Sequence, residues 1–212
     1  MFWGEPYPEI TSWITGFDGK SGSFPWRGGR CSRRANRVPL AHAAWVRRLY
    51  EVTVRASRAA LELYFAHRPK KPVVAVIYTH SHIDHYGGVR GVIDEADVKA
   101  GRVKVIAPNG FMEAVSGENV LAGLAMMRRA QFQFGTMLPR GPRGQVDTGL
   151  GKAITRGTPG LIEPTMLIAR PIEEHTIDGV KIVFQLAPET EAPAEMHMFY
   201  PQLRVLNMAE NA

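Results

Sequence analysis

Three of the seven histidines of this 212-residue chain fall within six positions, at His80, His82 and His85, and Asp84 lies between the last two. Imidazole and carboxylate groups are the usual non-thiol ligands of zinc and similar divalent ions. Because His80 and His82 are two residues apart, a tight loop can point both the same way. Asp84 and His85 can then turn toward a second point close by. The spacing therefore predicts two metal half-sites rather than one.

A buried strand is predicted directly before this cluster. Residues 73–78 form a continuous apolar, mostly β-branched run, bounded by Pro72 and by the polar cluster itself. Such a run fits a strand that is covered on both faces, as in a parallel sheet flanked by helices. The carboxyl ends of parallel strands are where open α/β sheets bind ligands. For a single histidine we would favour a structural role, but for this spacing after a strand we favour a metal site.

The rest of the chain predicts an α/β fold. Helical spacing of apolar residues predicts helices at about 40–67, 92–100 and 119–134. Short β-rich runs predict strands at 103–107, 176–186, 196–200 and 204–208, with turns at Asp178-Gly179 and Pro201-Gln202. We expect the large apolar side chains of the third helix to lie in the core: Met126, Met127, Phe132 and Phe134.

The net charge of +6 belongs to one segment. Residues 19–50 contain eight cations and no acidic residue, so the rest of the chain carries 18 cations and 20 anions. We favour a solvated or disordered segment over the alternative, a basic binding module at residues 20–48, and we predict no nucleic-acid partner. The single cysteine, Cys31, excludes an internal disulfide, and no membrane span or export signal is predicted, so localisation stays open.

The stretch Thr79–Gly91 (THSHIDHYGGVRG) resembles the signature of the metallo-β-lactamase superfamily, and within it the zinc-dependent alkyl sulfatases. Residues 128–135, 138–152 and 176–212 also resemble that branch, so the likeness runs from about Ala59 onward. It implies a partial metallo-β-lactamase-type αβ/βα sandwich, incomplete at both ends. Residues 59–212 would be a superfamily domain truncated at its C-terminus, and residues 1–58 an atypical Arg/Gly-rich segment and helix.

The resemblance also implies a set of metal ligands. His80 and His82 would bind a first zinc ion, and Asp84 and His85 a second. Two acidic positions of the sulfatases are matched by Glu191, as a further ligand, and by Glu210, as the bridging group. Residue type alone does not distinguish Glu191 from its neighbours Glu189 and Glu195, which we expect to be solvated loop carboxylates.

The implied chemistry is hydrolysis of an alkyl sulfate ester to an alcohol and sulfate. Two zinc ions lower the pKa of a shared water toward about 7, so the resulting hydroxide is the nucleophile and no side-chain base is required. Another hydrolase of the superfamily is the alternative, against which Glu191 and the loop at residues 138–152 argue. Full-length relatives are expected to form homodimers.

Two departures from the family pattern lower the expected activity. The last histidine ligand of the family follows the bridging acid, whereas His175 and His197 both precede Glu210, so structural roles suit them better. Residues 19–50 do not resemble the β-rich segment expected there, and we interpret them as out-of-frame translation or a degenerate stretch. We therefore expect this polypeptide alone to hydrolyse alkyl sulfates weakly or not at all.

Overall fold

The computed structural model describes residues 54–148 and 157–211. The Arg/Gly-rich window at 19–50, Cys31 and the first part of the first predicted helix lie outside the described residues. In chain order the helices are α1 (Val54–His67), α2 (Glu95–Lys99), α3 (Phe111–Val115) and α4 (Gly123–Phe134). The strands are β1 (Ala75–Ile77), β2 (Lys104–Pro108), β3 (Met166–Ile168), β4 (Ile172–Ile177), β5 (Val180–Leu186), β6 (Met196–Tyr200) and β7 (Val205–Asn207).

The strands form two sheets. The first is parallel, with the order β1-β2-β3, and it pairs Ala75 with Lys104 and Ile106 with Met166. The second is antiparallel, with the order β4-β5-β6-β7. The turn between β4 and β5 falls at Asp178-Gly179, where both residues have positive φ, 49° and 76°. This is the two-residue turn that the sequence predicted, because paired left-handed residues match the twist of a hairpin.

Strand β1 is buried on both faces, which confirms the sequence prediction. Ala75 and Ile77 face the antiparallel sheet and share one core with residues such as Phe184 and Met198. Val76 and Tyr78 face the opposite way, into a second core that includes Phe111. Alternation along the strand sends successive side chains to opposite faces. The parallel sheet is therefore the central layer between helices and a second sheet, as expected for a part of an αβ/βα sandwich.

Helix α1 packs closely against the loop after β1. Its buried residues Ser57, Ala60 and Tyr64 recur at spacings of three and four, which is the pattern of a helix with one covered face. At Gly91, a side chain has no room, because a Cβ there would overlap the carbonyl oxygen of Val54. The glycine that ends the histidine motif is thus the point where this loop touches the helix backbone.

Helix α4 differs from the prediction. It begins at Gly123 rather than at Asn119, and it ends at Gly135 with φ 61°, as predicted. The residues before it form a π-helical turn, Ser116–Leu121, preceded by α3, which the sequence did not indicate. The expected core role of the α4 side chains is wrong, since none of them is buried and Phe132 is 89% exposed. Apolar spacing identified a helix, but it does not say whether another layer covers the apolar face.

In the part of the chain that the structure describes, no helix is long and apolar enough to cross a bilayer.

Candidate metal centre

The histidine motif occupies the connection that follows β1. The N–H of Met196 donates to the carbonyl oxygen of Thr79 at 2.9 Å, and His80 pairs with Glu195 in an isolated bridge. These contacts attach the start of the motif to the beginning of β6, an inner strand of the antiparallel sheet. A 3-10 turn, Ile83–His85, then reverses the chain. The motif is therefore held by both sheets.

Four side chains meet around a first point. Glu191 Oε2 lies 3.3 Å from His80 Nε2 and 2.8 Å from His82 Nδ1, and Glu210 Oε2 lies 3.9 Å from His80 Nε2. One ligand atom from each of the four lies within 4.8 Å of all the others. Both histidines and both acids that the sequence analysis assigned to this part of the site come together here.

Three side chains meet around a second point. His85 Nε2 lies 3.6 Å from Asp84 Oδ2 and 3.3 Å from Glu210 Oε1. These groups also offer ligand atoms within 4.8 Å of one another. Glu210 belongs to both groups, with one oxygen toward His80 and the other toward His85. The geometry thus has two groups of potential ligands that share one carboxylate, and the prediction of two metal half-sites stays a prediction.

The imidazoles form the floor of the site and the carboxylates its solvent side. The side chains of His80 and His85 are 0% and 8% exposed, whereas those of Asp84, Glu191 and Glu210 are each about one-third exposed. Buried imidazole nitrogens opposite clustered carboxylate oxygens form a donor set suited to zinc or a similar divalent ion. The residues present therefore fit the metal that the resemblance implied.

The nearby carboxylates also affect the protonation of His82, one of the three imidazoles of the site. The hydrogen bond to Glu191 raises the pKa of His82 above its ordinary value, and burial opposes this shift. The charges of Glu191, Glu118 and Asp84 act in the same direction as the hydrogen bond. A proton on His82 stabilises the facing carboxylates in the absence of a cation. A metal ion must displace that proton, because only the neutral imidazole is a ligand.

Glu195 is a core residue, so the expectation that it is solvated is wrong. It is only 1% exposed, and its Oε2 accepts the backbone N–H groups of Glu191 at 3.1 Å and Ala192 at 3.0 Å. Burial raises the pKa of Glu195, and these hydrogen bonds counter the shift. Glu189 is exposed, as expected. The loop that presents Glu191 is therefore wound around a buried carboxylate four residues further on.

Asn211 connects the same carboxylate to the other acidic loop. Its Nδ2 donates to Glu195 Oε1 at 2.7 Å and also lies 3.0 Å from His197 Nε2. Glu210 is the neighbour of Asn211, so Glu195 joins the loops that carry the two acidic members of the site. Sequence reasoning missed Glu195 and Asn211 in this role, because nothing in their spacing distinguishes them from surface polar residues.

His175 and His197, for which the sequence favoured structural roles, lie outside both groups. His175 Nε2 is 2.9 Å from Glu173 Oε2, on the antiparallel sheet. His197 contacts Asn211, and burial lowers its pKa. Among the described residues, neither belongs to a cluster of three potential ligands.

The comparisons with known proteins agree on one protein family. The model of the metallo-beta-lactamase superfamily matches residues 49–206. An (R)-specific secondary-alkylsulfatase of Pseudomonas sp is 60% identical over 161 residues, which are 76% of this chain and 24% of that protein. The alkyl/aryl-sulfatase BDS1 of Saccharomyces cerevisiae is 60% identical over 159 residues, which are 75% of this chain and 25% of that protein.

Solved structures show the same similarity. A double mutant of the sec-alkyl sulfatase PisA1 matches with a TM-score of 0.70 and 59% identity, over 76% of this chain and 26% of that one. The stereoselective inverting sec-alkylsulfatase Pisa1 from Pseudomonas sp. matches with a TM-score of 0.67 and 58% identity, over 73% of this chain and 25% of that one. The chain spans about a quarter of the length of the curated relatives it matches.

Proposed function

Because the chain belongs to the metallo-beta-lactamase superfamily, we propose that its two clusters bind two zinc ions and that the site hydrolyses alkyl sulfate esters. The observation that carries this proposal is the position of Glu210, whose two oxygens face His80 in one cluster and His85 in the other. One carboxylate shared by two ligand groups is an arrangement suited to holding a pair of ions. The alkylsulfatase names of relatives at 55–60% identity support the substrate class.

Each residue has a role in this proposal. His80 Nε2, His82 Nδ1 and Glu191 hold the first ion, Asp84 and His85 Nε2 hold the second, and Glu210 lies between them. When bound, a pair of divalent ions lowers the pKa of water from 15.7 toward about 7 and stabilises anionic charge on a leaving group.

The chain's own contribution is positioning. The buried floor of His80 and His85 keeps water away from one side of the site, so a substrate must approach past the carboxylates. None of the six proposed ligands acts as a general base in this proposal. The expected products are an alcohol and inorganic sulfate.

Two further parts of the proposal concern the domain organisation and the oligomeric state. We assign residues 59–212 to the superfamily domain, truncated at its C-terminus, and residues 1–58 to an atypical Arg/Gly-rich segment and helix. We also expect homodimers of full-length relatives, which light scattering on those proteins would detect.

The test is a panel of substrates offered to the zinc-loaded chain. The chain should hydrolyse dodecyl sulfate slowly, with release of sulfate, and in preference to a β-lactam or a thioester. A chelator should abolish the reaction. His80→Ala should remove it, whereas His175→Ala, which changes a histidine outside both clusters, should not. Hydrolysis of only the lactam or the thioester would contradict the proposal.

A further inference from the structure

We propose that Glu118 is a positioning residue, which fixes the ring of His82 so that Nδ1 faces the metal centre and Nε2–H points away from it. This inference rests on the proposed function, since it assigns a role toward the metal ions. It concerns a residue outside both ligand clusters, in the turn that precedes α4.

The ring of His82 lies between two carboxylates. On one side, Nδ1 is 2.8 Å from Oε2 of Glu191, inside the first cluster. On the other side, Nε2 is 3.5 Å from Oε1 of Glu118. A neutral imidazole has one N–H, and the nitrogen that binds a metal must lack it. A carboxylate beside Nε2 favours the tautomer with its proton there, which leaves Nδ1 available as the ligand atom.

Glu118 is itself held in place. The hydroxyl of Ser81, which is fully buried, donates to Glu118 Oε2 at 2.5 Å. One carboxylate oxygen is thus bound to the residue directly before His82, and the other faces His82 itself. The two contacts hold the Glu118 carboxylate against Ser81 and His82 of the motif. The Glu118 side chain is 22% exposed, so its charge is partly shielded from water.

The neighbouring residue reinforces this contact. Asn119 Nδ2 donates to the carbonyl oxygen of Ser81 at 3.2 Å and to that of Val115 at 3.1 Å. Two consecutive side chains therefore reach the same motif residue, one through its hydroxyl and one through its backbone. Ser81 is bound through both its side chain and its backbone. His82 is the next residue, so these bonds also restrain its backbone.

The local helix geometry explains how consecutive side chains meet one loop. Residues Ser116–Leu121 form a π-helical turn, in which the N–H of Ala122 donates to the carbonyl oxygen of Gly117 at 2.9 Å. This i to i+5 bond widens the backbone between α3 and α4. Turns of this kind are frequent at functional sites. Here the widened turn lies directly over Ser81 and His82.

The expected effect is on metal affinity. A carboxylate beside the ring N–H of a metal-binding histidine orients the ring and increases its basicity, and its loss typically lowers metal affinity about 10–100-fold. Glu118→Gln keeps the size and removes the charge, so zinc affinity should fall by about 10-fold or more. Ser81→Ala keeps the Glu118 carboxylate but removes the hydroxyl that donates to its Oε2. Zinc affinity should therefore fall by less than in Glu118→Gln. Glu113→Gln, at an exposed carboxylate of α3, is the matched control and should bind as the parent does.

The experiment measures zinc affinity by competition with a chromophoric chelator, and ring protonation by nitrogen-15 NMR of labelled histidine. In the zinc-loaded parent chain, His82 should show a protonated Nε2 that exchanges slowly with water, and Glu118→Gln should speed that exchange. Zinc affinity and exchange in Glu118→Gln equal to those of Glu113→Gln would overturn the inference while leaving the proposed function intact.

Two further outcomes are decisive. If the parent chain binds no zinc, the proposed function and this inference both fail. If Glu118→Gln does not fold, the decision passes to Ser81→Ala: unchanged affinity and unchanged Nε2–H exchange in that variant would overturn the inference, and a fall in affinity with faster exchange would support it.

Discussion

His82 and Glu191 are joined across the site by a 2.8 Å contact between Nδ1 and Oε2. The histidine belongs to the loop after β1, and the acid belongs to the loop between β5 and β6. The contact therefore connects the parallel sheet to the antiparallel sheet at the metal centre. Without a metal ion, the hydrogen bond to Glu191 raises the pKa of His82 and so favours a proton at this contact.

That proton gives a pH dependence. The pKa of His82 is raised from 6.5, first by the hydrogen bond to Glu191. A raised folded-state pKa contributes stability that is fully present below the unfolded value, about 6.5, and that is lost as pH rises through the folded value. In excess chelator, urea denaturation should show the free energy of unfolding falling from pH 6 to pH 8. Glu191→Gln should flatten that slope, and a parent slope of zero or of opposite sign would contradict the assignment.

Glu195 should control both acidic loops. Glu195→Gln puts an amide N–H₂ either where the N–H groups of Glu191 and Ala192 now donate or where Asn211 Nδ2 donates, so at least one donor loses its acceptor. We expect the free energy of unfolding to fall by about 1–3 kcal/mol and zinc affinity to fall with it. Urea denaturation and chelator competition measure the two effects. The control is Glu189→Gln in the same loop, which is exposed, and equal behaviour of the two variants would refute the role.

Glu173 should stabilise the fold without affecting the metal centre. The backbone N–H of Arg170, the side chain of His175 and the N–H of Ala169 lower its pKa from 4.5 to about 2. Its contribution is present above about pH 4.5 and is lost as pH falls toward about 2. Glu173→Gln should cost about 1–3 kcal/mol at neutral pH and should reduce the loss of stability in that acid range.

Acid denaturation followed by circular dichroism tests this expectation. Glu174→Gln is the control, since Glu174 is more than half exposed and pairs only at the surface with Lys181. Altered zinc affinity in Glu173→Gln, or an unchanged acid profile, would show that the residue does not act in the way described.

Gly91 should tolerate no side chain. A Cβ at Gly91 would overlap the carbonyl oxygen of Val54, which is backbone and has little freedom to move. Gly91→Ala should therefore lower stability by about 1–3 kcal/mol by displacing α1 from the motif loop. At Gly123 a Cβ meets nothing within 4 Å, so Gly123→Ala should be neutral or slightly stabilising. Thermal melting of the two variants distinguishes them, and a neutral Gly91→Ala would mean that α1 does not pack as described.

The parts of the molecule that the sequence predicted are those governed by local patterns. The apolar run before the motif indicated a doubly covered strand, and the spacing of His80, His82, Asp84 and His85 indicated two half-sites. The roles of Glu191 and Glu210 came from resemblance alone, because carboxylates more than 100 residues away in the chain leave no local pattern.

Other features depend on tertiary contacts and could not be predicted. Glu195 is buried because the loop wraps around it, whereas Glu189, the same residue type six positions earlier, is exposed. Glu118 reaches the motif through a π turn, which no propensity rule indicates. The apolar face of α4 was expected to be in the core, and Phe132 is instead largely exposed, since helical spacing contains no information about what covers a face.

Glu210 is proposed to join two metal sites through one carboxylate. The decisive measurement is the zinc content of the purified chain after dialysis, by inductively coupled plasma mass spectrometry, for the parent, Glu210→Gln and the control Glu189→Gln. We expect about two zinc ions per chain for the parent and the control, and a clear loss of zinc for Glu210→Gln. A parent chain that retains no zinc, or a Glu210→Gln variant that retains as much as the control, would show that Glu210 does not have this role.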